Sequence, residues 1–218
     1  MIEALGERYR ALAPDIRGHG AASARRPVTL EAVLSDLRAI APARFSLAGY
    51  SMGGRIALHG ALAMPERVER LVLIGASPGL ADEEERRARR GSDASLADEI
   101  EASTIEEFAE RWARTPALEG QSPAVARAAR EDRLRSTTED LALALRGLGA
   151  ATLPPLWDRL GELDTDVLLI AGERDLKFRR LGEQMAALIP SARLEVVAGA
   201  GHAVHLERPD EVARLLAG

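Results

Sequence analysis

The chain contains 218 residues, of which 46% are hydrophobic and 29% charged, and its formal net charge is −5. This balance is typical of a globular protein and excludes a mainly disordered chain. Because the chain has no cysteine, disulfides, thiolate metal sites and cysteine nucleophiles are excluded. The mildly acidic charge argues against a general nucleic-acid binder. No apolar run could span a membrane and the first residues do not resemble a signal peptide, so we expect a cytoplasmic protein without a membrane partner.

Strand and helix patterns alternate along most of the chain. Short apolar runs predict strands at residues 45–48, Val68–Ile74, 167–171 and 194–197, with a further short strand at residues 9–13 before a turn at 15–20. Amphipathic stretches predict helices at Leu30–Ile40, 52–64, about 180–188 and 210–216. Thr29 is placed to cap the first helix, and Pro65 ends the second. Strands that alternate with helices predict a mainly parallel sheet with flanking helices.

Residues 81–151 interrupt this alternation. The stretch is rich in alanine, arginine and glutamate, and its pattern predicts several helices and no strand. We therefore expect an α/β core built from residues 1–80 and 152–218, with residues 81–151 inserted as a helical lid. Because ligands bind at the carboxyl ends of the strands in such sheets, the lid is expected to cover the site.

The sequence Gly49-Tyr-Ser-Met-Gly53 lies between a predicted strand and a predicted helix. That is the context of a G-x-S-x-G nucleophile elbow, where glycines permit a tight turn and the serine is held in a strained conformation. Ser51 is therefore the candidate nucleophile. The backbone N–H of Met52 and the helix N-terminus point toward the same place, so Met52 is the candidate oxyanion donor.

A nucleophilic serine needs a base, and the base needs an acid that orients it. His202 follows the predicted strand at 194–197, and Asp175 follows the strand at 167–171, so both belong at the same sheet edge as Ser51. The order Ser, Asp, His is the one used with a nucleophile elbow. Glu173 is the alternative acid, but the distance past the strand end favours Asp175.

The remaining histidines are predicted to be structural. His19 lies between two glycines in a turn, His59 lies within a predicted helix, and His205 forms a His-x-x-His pattern with His202. Such a pair could indicate a metal site. No carboxylate pattern accompanies it, and we predict no metal.

These motifs resemble the α/β-hydrolase family. The resemblance rests on residues 15–20 (Asp-Ile-Arg-Gly-His-Gly), 49–54, 172–175 and 201–202. Over essentially the whole chain, further segments are similar to one branch of that family, the MenH-type synthases of menaquinone biosynthesis, which form 2-succinyl-6-hydroxy-2,4-cyclohexadiene-1-carboxylate. Those segments are residues 49–57, 76–80, 84–89, 155–157 and 175–178, together with Trp112 and Arg133.

The resemblance implies a cofactor-free lyase that eliminates pyruvate from a small polycarboxylate cyclohexene intermediate. Ser51, activated by His202 and Asp175, would remove a ring proton instead of attacking a carbonyl. The family's substrate-binding positions comprise three arginines, two aromatic residues and one lysine: Arg55, Arg89, Arg133, Tyr50, Trp112 and Lys177.

The anion-binding role of Arg55 is also supported by its position in the sequence, independently of the family resemblance. It follows Ser51 by four residues, so both lie on one face of the predicted helix. A cation in the first turn opposes the helix dipole at a cost of about 0.3–1 kcal/mol, which a bound anion would offset. The alternative is a salt bridge between Arg55 and a glutamate of the lid.

The other substrate positions have equally good structural explanations. Every basic residue except Lys177 is an arginine, so a solvated helix face explains Arg89 and Arg133 nearly as well as anion binding does. Trp112 and Trp157 could equally form the core of the lid.

One family feature is missing at the start of this sequence. Family chains begin with further strands, one of which ends in a loop that supplies the first oxyanion donor. Here the sequence starts within the helix that follows that loop, so we expect the inner strand between residues 9–13 and 45–48 to be absent. The reading frame is expected to continue upstream, and the activity of the short chain is expected to be poor.

Two other functions stay open. The first is a hydrolase of the same fold, which cleaves an ester or thioester through an acyl-Ser51 intermediate. The second is a non-catalytic domain with an incomplete oxyanion site. Arg55 favours the lyase, because a neutral ester gives no reason for a cation beside the nucleophile. The sequence does not indicate the oligomeric state.

Overall fold

The computed structural model describes residues 5–6, 9–115 and 118–218. Its sheet has four parallel strands, β1 (Phe45–Tyr50), β2 (Val68–Ile74), β3 (Asp166–Gly172) and β4 (Ala192–Val197). The strands lie side by side in chain order. Leu71 of β2 is in register with Leu47 of β1 and with Val167 of β3, so the apolar runs of three strands coincide. The predicted parallel sheet is confirmed.

Helices follow the strands and cover the sheet. The described α-helices are α1 (Leu30–Ile40), α2 (Met52–Ala63), α3 (Glu83–Glu101), α4 (Ile105–Ala113), α5 (Pro123–Arg133), α6 (Thr138–Leu148), α7 (Leu176–Leu188), α8 (Val204–Glu207) and α9 (Pro209–Ala217). Short 3-10 helices occupy Gly20–Ala22 and Trp157–Glu162. No helix in the described ranges is long and apolar enough to cross a membrane.

The core lies on both faces of the sheet. Leu71 packs on one face with residues of α2 and α7, while its neighbour Val72 packs on the other face with residues of α9. Successive side chains of a strand point to opposite faces, so a strand covered on both sides must be apolar at every position. This explains the continuous hydrophobic run that identified β2 in the sequence.

Two helix starts illustrate how local side chains set element boundaries. The side chain of Thr29 accepts a hydrogen bond from the Ala32 N–H at 3.3 Å, and α1 spans the predicted residues. Helix α7 begins at Leu176, four residues before the predicted start. Asp175 caps it by accepting a hydrogen bond from the Phe178 N–H at 3.4 Å, so the helix begins directly after the strand-end loop.

The strand predicted at residues 9–13 is wrong. These residues have no regular structure and are exposed, although the Tyr9 hydroxyl donates to the Ala217 carbonyl at 3.0 Å. A strand needs a neighbour to pair its backbone groups, and no described strand lies beyond the outer edge of β1. The helix predicted across the first residues of the chain involves positions 1–4 and 7–8, which lie outside the described residues.

Helices α3 to α6 lie between β2 and β3, and the described part of residues 81–151 contains no strand. Helix α3 packs against α6, and a small apolar cluster that includes Phe108 joins the helices to each other. Two ion pairs tie this layer to the loop before α1: Arg135 contacts Asp15 at 2.7 Å, and Arg26 contacts Asp140 at 2.5 Å. The layer is therefore held to the core at its α5–α6 junction.

Candidate active site

Ser51 stands at a sharp turn between β1 and α2. Its φ of 49° makes it the only non-glycine residue with positive φ among the described residues. The turn is crowded, since a Cβ on Gly49 would lie 2.3 Å from the Gly53 carbonyl oxygen and one on Gly54 would lie 2.4 Å from the Ala76 side chain. Gly53 itself has open space around it, so the crowding concerns Gly49 and Gly54. This is the strained strand–turn–helix geometry that projects a serine hydroxyl outward.

Ser51, His202 and Asp175 form a continuous hydrogen-bonded chain. The distance from Ser51 Oγ to His202 Nε2 is 3.1 Å, and that from His202 Nδ1 to Asp175 Oδ2 is 2.6 Å. A carboxylate can only accept, so the imidazole proton lies on Nδ1 and Nε2 is free to accept the serine proton. The side chain of Glu173 turns away and accepts from the Gly199 N–H at 2.8 Å, which leaves Asp175 as the acid that contacts the histidine.

The His202 ring is enclosed, with 8% of the residue exposed. Phe178 packs on it with ring centroids 4.5 Å apart, and Tyr50 lies 5.1 Å away. Gly75 completes the enclosure at the end of β2: its φ is +53°, and a Cβ there would lie 3.0 Å from the His202 Cε1. The packing therefore restricts the imidazole to the orientation that joins Ser51 to Asp175.

Met52 is the first residue of α2, and a first-turn N–H has no acceptor within the helix. The Ser51 side chain does not cap the helix. The Met52 N–H and the helix dipole are therefore available to a negative charge that develops beside Ser51.

Arg55 lies one turn into α2 and faces an unusual environment for a cation. Its Nε atom is buried, and within the described ranges its guanidinium makes no hydrogen bond or ion pair. Burial, with a smaller contribution from the positive charge of Arg89, lowers the pKa of Arg55 to about 10. The alternative explanation is a salt bridge between Arg55 and a glutamate of residues 81–151. No such salt bridge occurs among the described residues. A partly buried cation without a partner next to the nucleophile is an environment that favours an anion.

The other two arginines differ from Arg55. Arg89 of α3 is paired with Asp93, which lies one turn further along the helix, at 2.7 Å, and its side chain is 44% exposed. Arg133 ends α5 and makes no ion pair or hydrogen bond with the described residues, and partial burial lowers its pKa below the usual range. The positive charge of Arg133 acts to lower the pKa of Tyr50, the residue that precedes Ser51. Arg133, like Arg55, is an arginine of the predicted set without an ionic partner among the described residues.

The aromatic and lysine candidates occupy three different settings. Tyr50 precedes Ser51, and burial raises the pKa of its hydroxyl above the usual range. Trp112 packs with Phe108 at a centroid distance of 5.5 Å, beside an apolar cluster of α3, α4 and α6. This packing agrees with the alternative role of Trp112 as a residue of an apolar core. Lys177 is exposed, with its Nζ 5.8 Å from the ring centre of Phe178.

The other three histidines, His19, His59 and His205, are partly buried. No group of three or more metal-ligating side chains occurs in the part of the chain that the structure describes. Burial lowers the pKa values of His19 and His59, and it lowers that of His205 to about 4, with a smaller contribution from His202. His205 packs against Tyr50 with ring centroids 4.2 Å apart.

Comparison with known proteins identifies the architecture. The sequence profile described as "Alpha/beta hydrolase family" matches residues 1–215. This chain belongs to the alpha/beta hydrolase family. Among solved structures, "Structure of MenH from S. aureus" superposes with a TM-score of 0.92 and 30% sequence identity, covering 99% of this chain and 84% of that one.

Two curated relatives of this alpha/beta hydrolase carry closely similar names. A Salmonella agona (strain SL483) protein named 2-succinyl-6-hydroxy-2,4-cyclohexadiene-1-carboxylate synthase is 31% identical over 222 residues, which cover 99% of this chain and 86% of the relative. A Bacillus subtilis (strain 168) protein, to which the same name is assigned provisionally, is 41% identical over 169 residues, or 76% of this chain. That match spans 62% of the Bacillus protein, which is less than two thirds of its length.

Three residues of this alpha/beta hydrolase site were not singled out by their sequence. Phe178 packs on the histidine, Gly75 makes room for it, and the carboxylate of Glu207 contacts the Gly201 N–H beside it at 2.9 Å. Gly75 could have been noticed as a glycine directly after β2. Phe178 is distant in sequence from His202, and Glu207 returns to Gly201 only through the fold of α8, so the folded chain brings both to the site.

Proposed function

We propose that this chain is a 2-succinyl-6-hydroxy-2,4-cyclohexadiene-1-carboxylate synthase, a lyase that eliminates pyruvate from a polycarboxylate cyclohexene. The Salmonella relative carries this name and the Bacillus relative carries it provisionally, and the arrangement of Ser51, His202 and Asp175 supports the proposal. The single observation that carries the proposal is Arg55, a buried and unpaired cation one helical turn from Ser51. A neutral substrate would leave that charge without a counter-ion, whereas a carboxylate would satisfy it.

In the proposed reaction Ser51 acts as a base. The Ser51 hydroxyl gives its proton to His202 Nε2, and Asp175 stabilises the resulting imidazolium. The serine oxygen then takes a proton from the ring carbon, and a ring double bond forms. The carbon–oxygen bond to the leaving group breaks, its electrons leave with the oxygen, and the group departs as the enol of pyruvate. The proton that it needs comes back from the serine–histidine pair, so the enzyme is unchanged.

The N-terminal end of α2 stabilises charge in this scheme. The Met52 N–H faces the oxyanion that develops during elimination. Arg55 and Arg133 bind substrate carboxylates, and Arg89 joins them when a carboxylate competes with Asp93 for its guanidinium. In this scheme Tyr50 lies beside the substrate ring, and Lys177 lies at the entrance of the site. Trp112 contributes through the packing of the lid. No cofactor takes part in the scheme.

The test is pyruvate release from the cyclohexene substrate by the purified chain. We expect slow but measurable turnover by the wild type, and Ser51→Ala, Asp175→Asn and His202→Ala should each reduce it by at least about 10³-fold without additivity. Ser46→Ala, a change at an exposed serine of β1, is the matched control and should leave turnover unchanged. Absence of pyruvate from the wild type would refute the lyase.

An ester or thioester hydrolase is the second candidate, because the same triad can form an acyl-Ser51 intermediate. Burst release of product from an activated ester, with no pyruvate from the cyclohexene, would favour it. A non-catalytic domain is the third. A fluorophosphonate probe separates that case, because an inert site would not label at Ser51.

The wider organisation of the chain is part of the proposal. Residues 81–151 act as a lid over a core formed by residues 1–80 and 152–218, and a small anionic substrate enters between them. A cytoplasmic location stays a prediction from the sequence.

A further inference from the structure

One buried carboxylate touches both loops that carry the base and the acid of the triad. Glu207, the last residue of α8, has a side chain that is only 7% exposed. Its Oε2 accepts a hydrogen bond from the Gly201 N–H at 2.9 Å and another from the Arg174 guanidinium at 2.8 Å. Gly201 directly precedes His202, and Arg174 directly precedes Asp175. A single oxygen atom therefore joins the neighbours of two triad members.

The two loops are already aligned by their backbones. The Arg174 N–H donates to the Ala200 carbonyl at 2.9 Å, and the Glu173 N–H donates to the Val197 carbonyl at 3.0 Å. These bonds hold the beginning of each loop, next to the ends of β3 and β4. The Glu207 carboxylate adds a contact to each loop, at the Gly201 N–H and at the Arg174 guanidinium, one residue before His202 and Asp175 respectively.

The fit around Glu207 is close. A Cβ on Gly201 would lie 3.0 Å from Glu207 Oε1, so the carboxylate needs a glycine at that position. The Arg174 guanidinium also extends to the lid, where a Cβ on Gly120 would meet its Nη1. Both partners of Oε2 are donors, and one of them is charged, which favours the ionised carboxylate in this buried position.

We propose that Glu207 is a positioning residue that sets the distance between His202 Nδ1 and Asp175 Oδ2. This inference rests on the proposed roles of Ser51, His202 and Asp175. Glu207 does not touch the reacting atoms and acts through the two loops. Loss of its carboxylate lets the loops separate, the 2.6 Å contact lengthens, and His202 becomes a weaker base for Ser51.

The expected signature is a selective loss in chemistry. The contacts of Glu207 do not include Arg55 or Arg133, so substrate binding is preserved. Glu207→Ala should lower kcat by about 10²-fold, with KM within about twofold of the wild type. The rate at which a fluorophosphonate labels Ser51 should fall by the same factor, because labelling uses the same serine activation.

The experiment uses the full chain and three graded variants. Glu207→Gln keeps an acceptor for Gly201 but loses the charge that pairs with Arg174, and Arg174→Met keeps the Gly201 bond alone. Each should lose about 3–10-fold in labelling rate, less than Glu207→Ala. Glu162→Gln is the matched control, since Glu162 pairs with Arg159 on the surface at 2.7 Å, and it should label like the wild type.

Melting curves separate positioning from general stability. If Glu207→Ala does not fold, Glu207→Gln and Arg174→Met provide the test. If all folded variants label at the wild-type rate, the proposal is overturned. The proposal is also overturned if the loss in labelling rate disappears when the assay is run well below the melting temperature. A wild type that labels but releases no pyruvate refutes the lyase and leaves this test intact. A wild type that does not label overturns both.

Discussion

Replacing Arg55 with methionine removes a buried positive charge while keeping a side chain of similar length. The lowered pKa, about 10, measures how poorly the empty site supports that charge. Each pKa unit corresponds to about 1.4 kcal/mol, so a lowering from 12.5 to about 10 sets an upper limit of about 3.5 kcal/mol on the cost of the unpaired charge. Because the pKa is lowered, this penalty applies in full at neutral pH and diminishes only as the pH rises above 10.

The Arg55→Met variant should therefore be more stable than the wild type when no substrate is bound. We expect a gain of about 1–3 kcal/mol in the free energy of unfolding, measured by urea denaturation, and a melting temperature several degrees higher. Arg159→Met is the control, because that arginine lies on the surface with Glu162 as its partner, and its effect should stay within about 0.5 kcal/mol.

Catalysis should change in the opposite direction. With a polycarboxylate substrate, Arg55→Met should lower kcat/KM by an amount equivalent to about 2–5 kcal/mol, because a substrate carboxylate is left buried without its partner. Hydrolysis of a small neutral ester should change much less. Equal losses with both substrates, or a clear loss of stability in the empty enzyme, would refute the argument and make Arg55 structural.

Three further changes have defined outcomes. Asp175→Asn should reduce turnover by about 10⁴-fold with an unchanged melting temperature, because the amide favours the wrong tautomer of His202; equal turnover would exclude Asp175 as the acid. Leu160→Ala should cost about 2–5 kcal/mol in urea unfolding, since Leu160 is fully buried in the core, while kcat is retained. His205 has a folded pKa of about 4, so unfolding takes up a proton and stability should fall as the pH drops from about 6.5 to 4. His205→Gln should flatten that pH dependence in thermal melts.

The order of elements and the candidate triad follow from local signals in the sequence. A strand buried on both faces must be apolar along its length, and β2 and β3 were predicted on that ground alone. The nucleophile elbow needs glycine at fixed spacing from the serine, and loops after parallel strands share one edge of the sheet. Ser51, Asp175 and His202 could therefore be selected before any contact was seen.

Features that depend on contacts between distant segments of the chain could not be predicted from local sequence signals. Whether residues 9–13 form a strand depends on a neighbour and not on their own composition, and that neighbour is absent from the described sheet. An arginine has the same sequence signal whether it is paired or not. The pair of Arg89 and Asp93 is local, since the two residues lie one turn apart in α3, whereas only the folded chain shows that Arg55 is partly buried without a partner among the described residues.

The dependence on distant contacts also explains why sequence patterns did not identify Glu207 and Arg174 as site residues. The periodicity of a sequence reports which side of an element is buried, but it does not report which residue of another element lies opposite. Glu207 and Arg174 are 33 residues apart, and their pairing depends on how α8 returns across the ends of β3 and β4. The local sequence thus determined the chemistry available at each strand end. The tertiary structure decided which of these groups meet, because hydrogen bonds and burial act over a few ångströms in space and not along the chain.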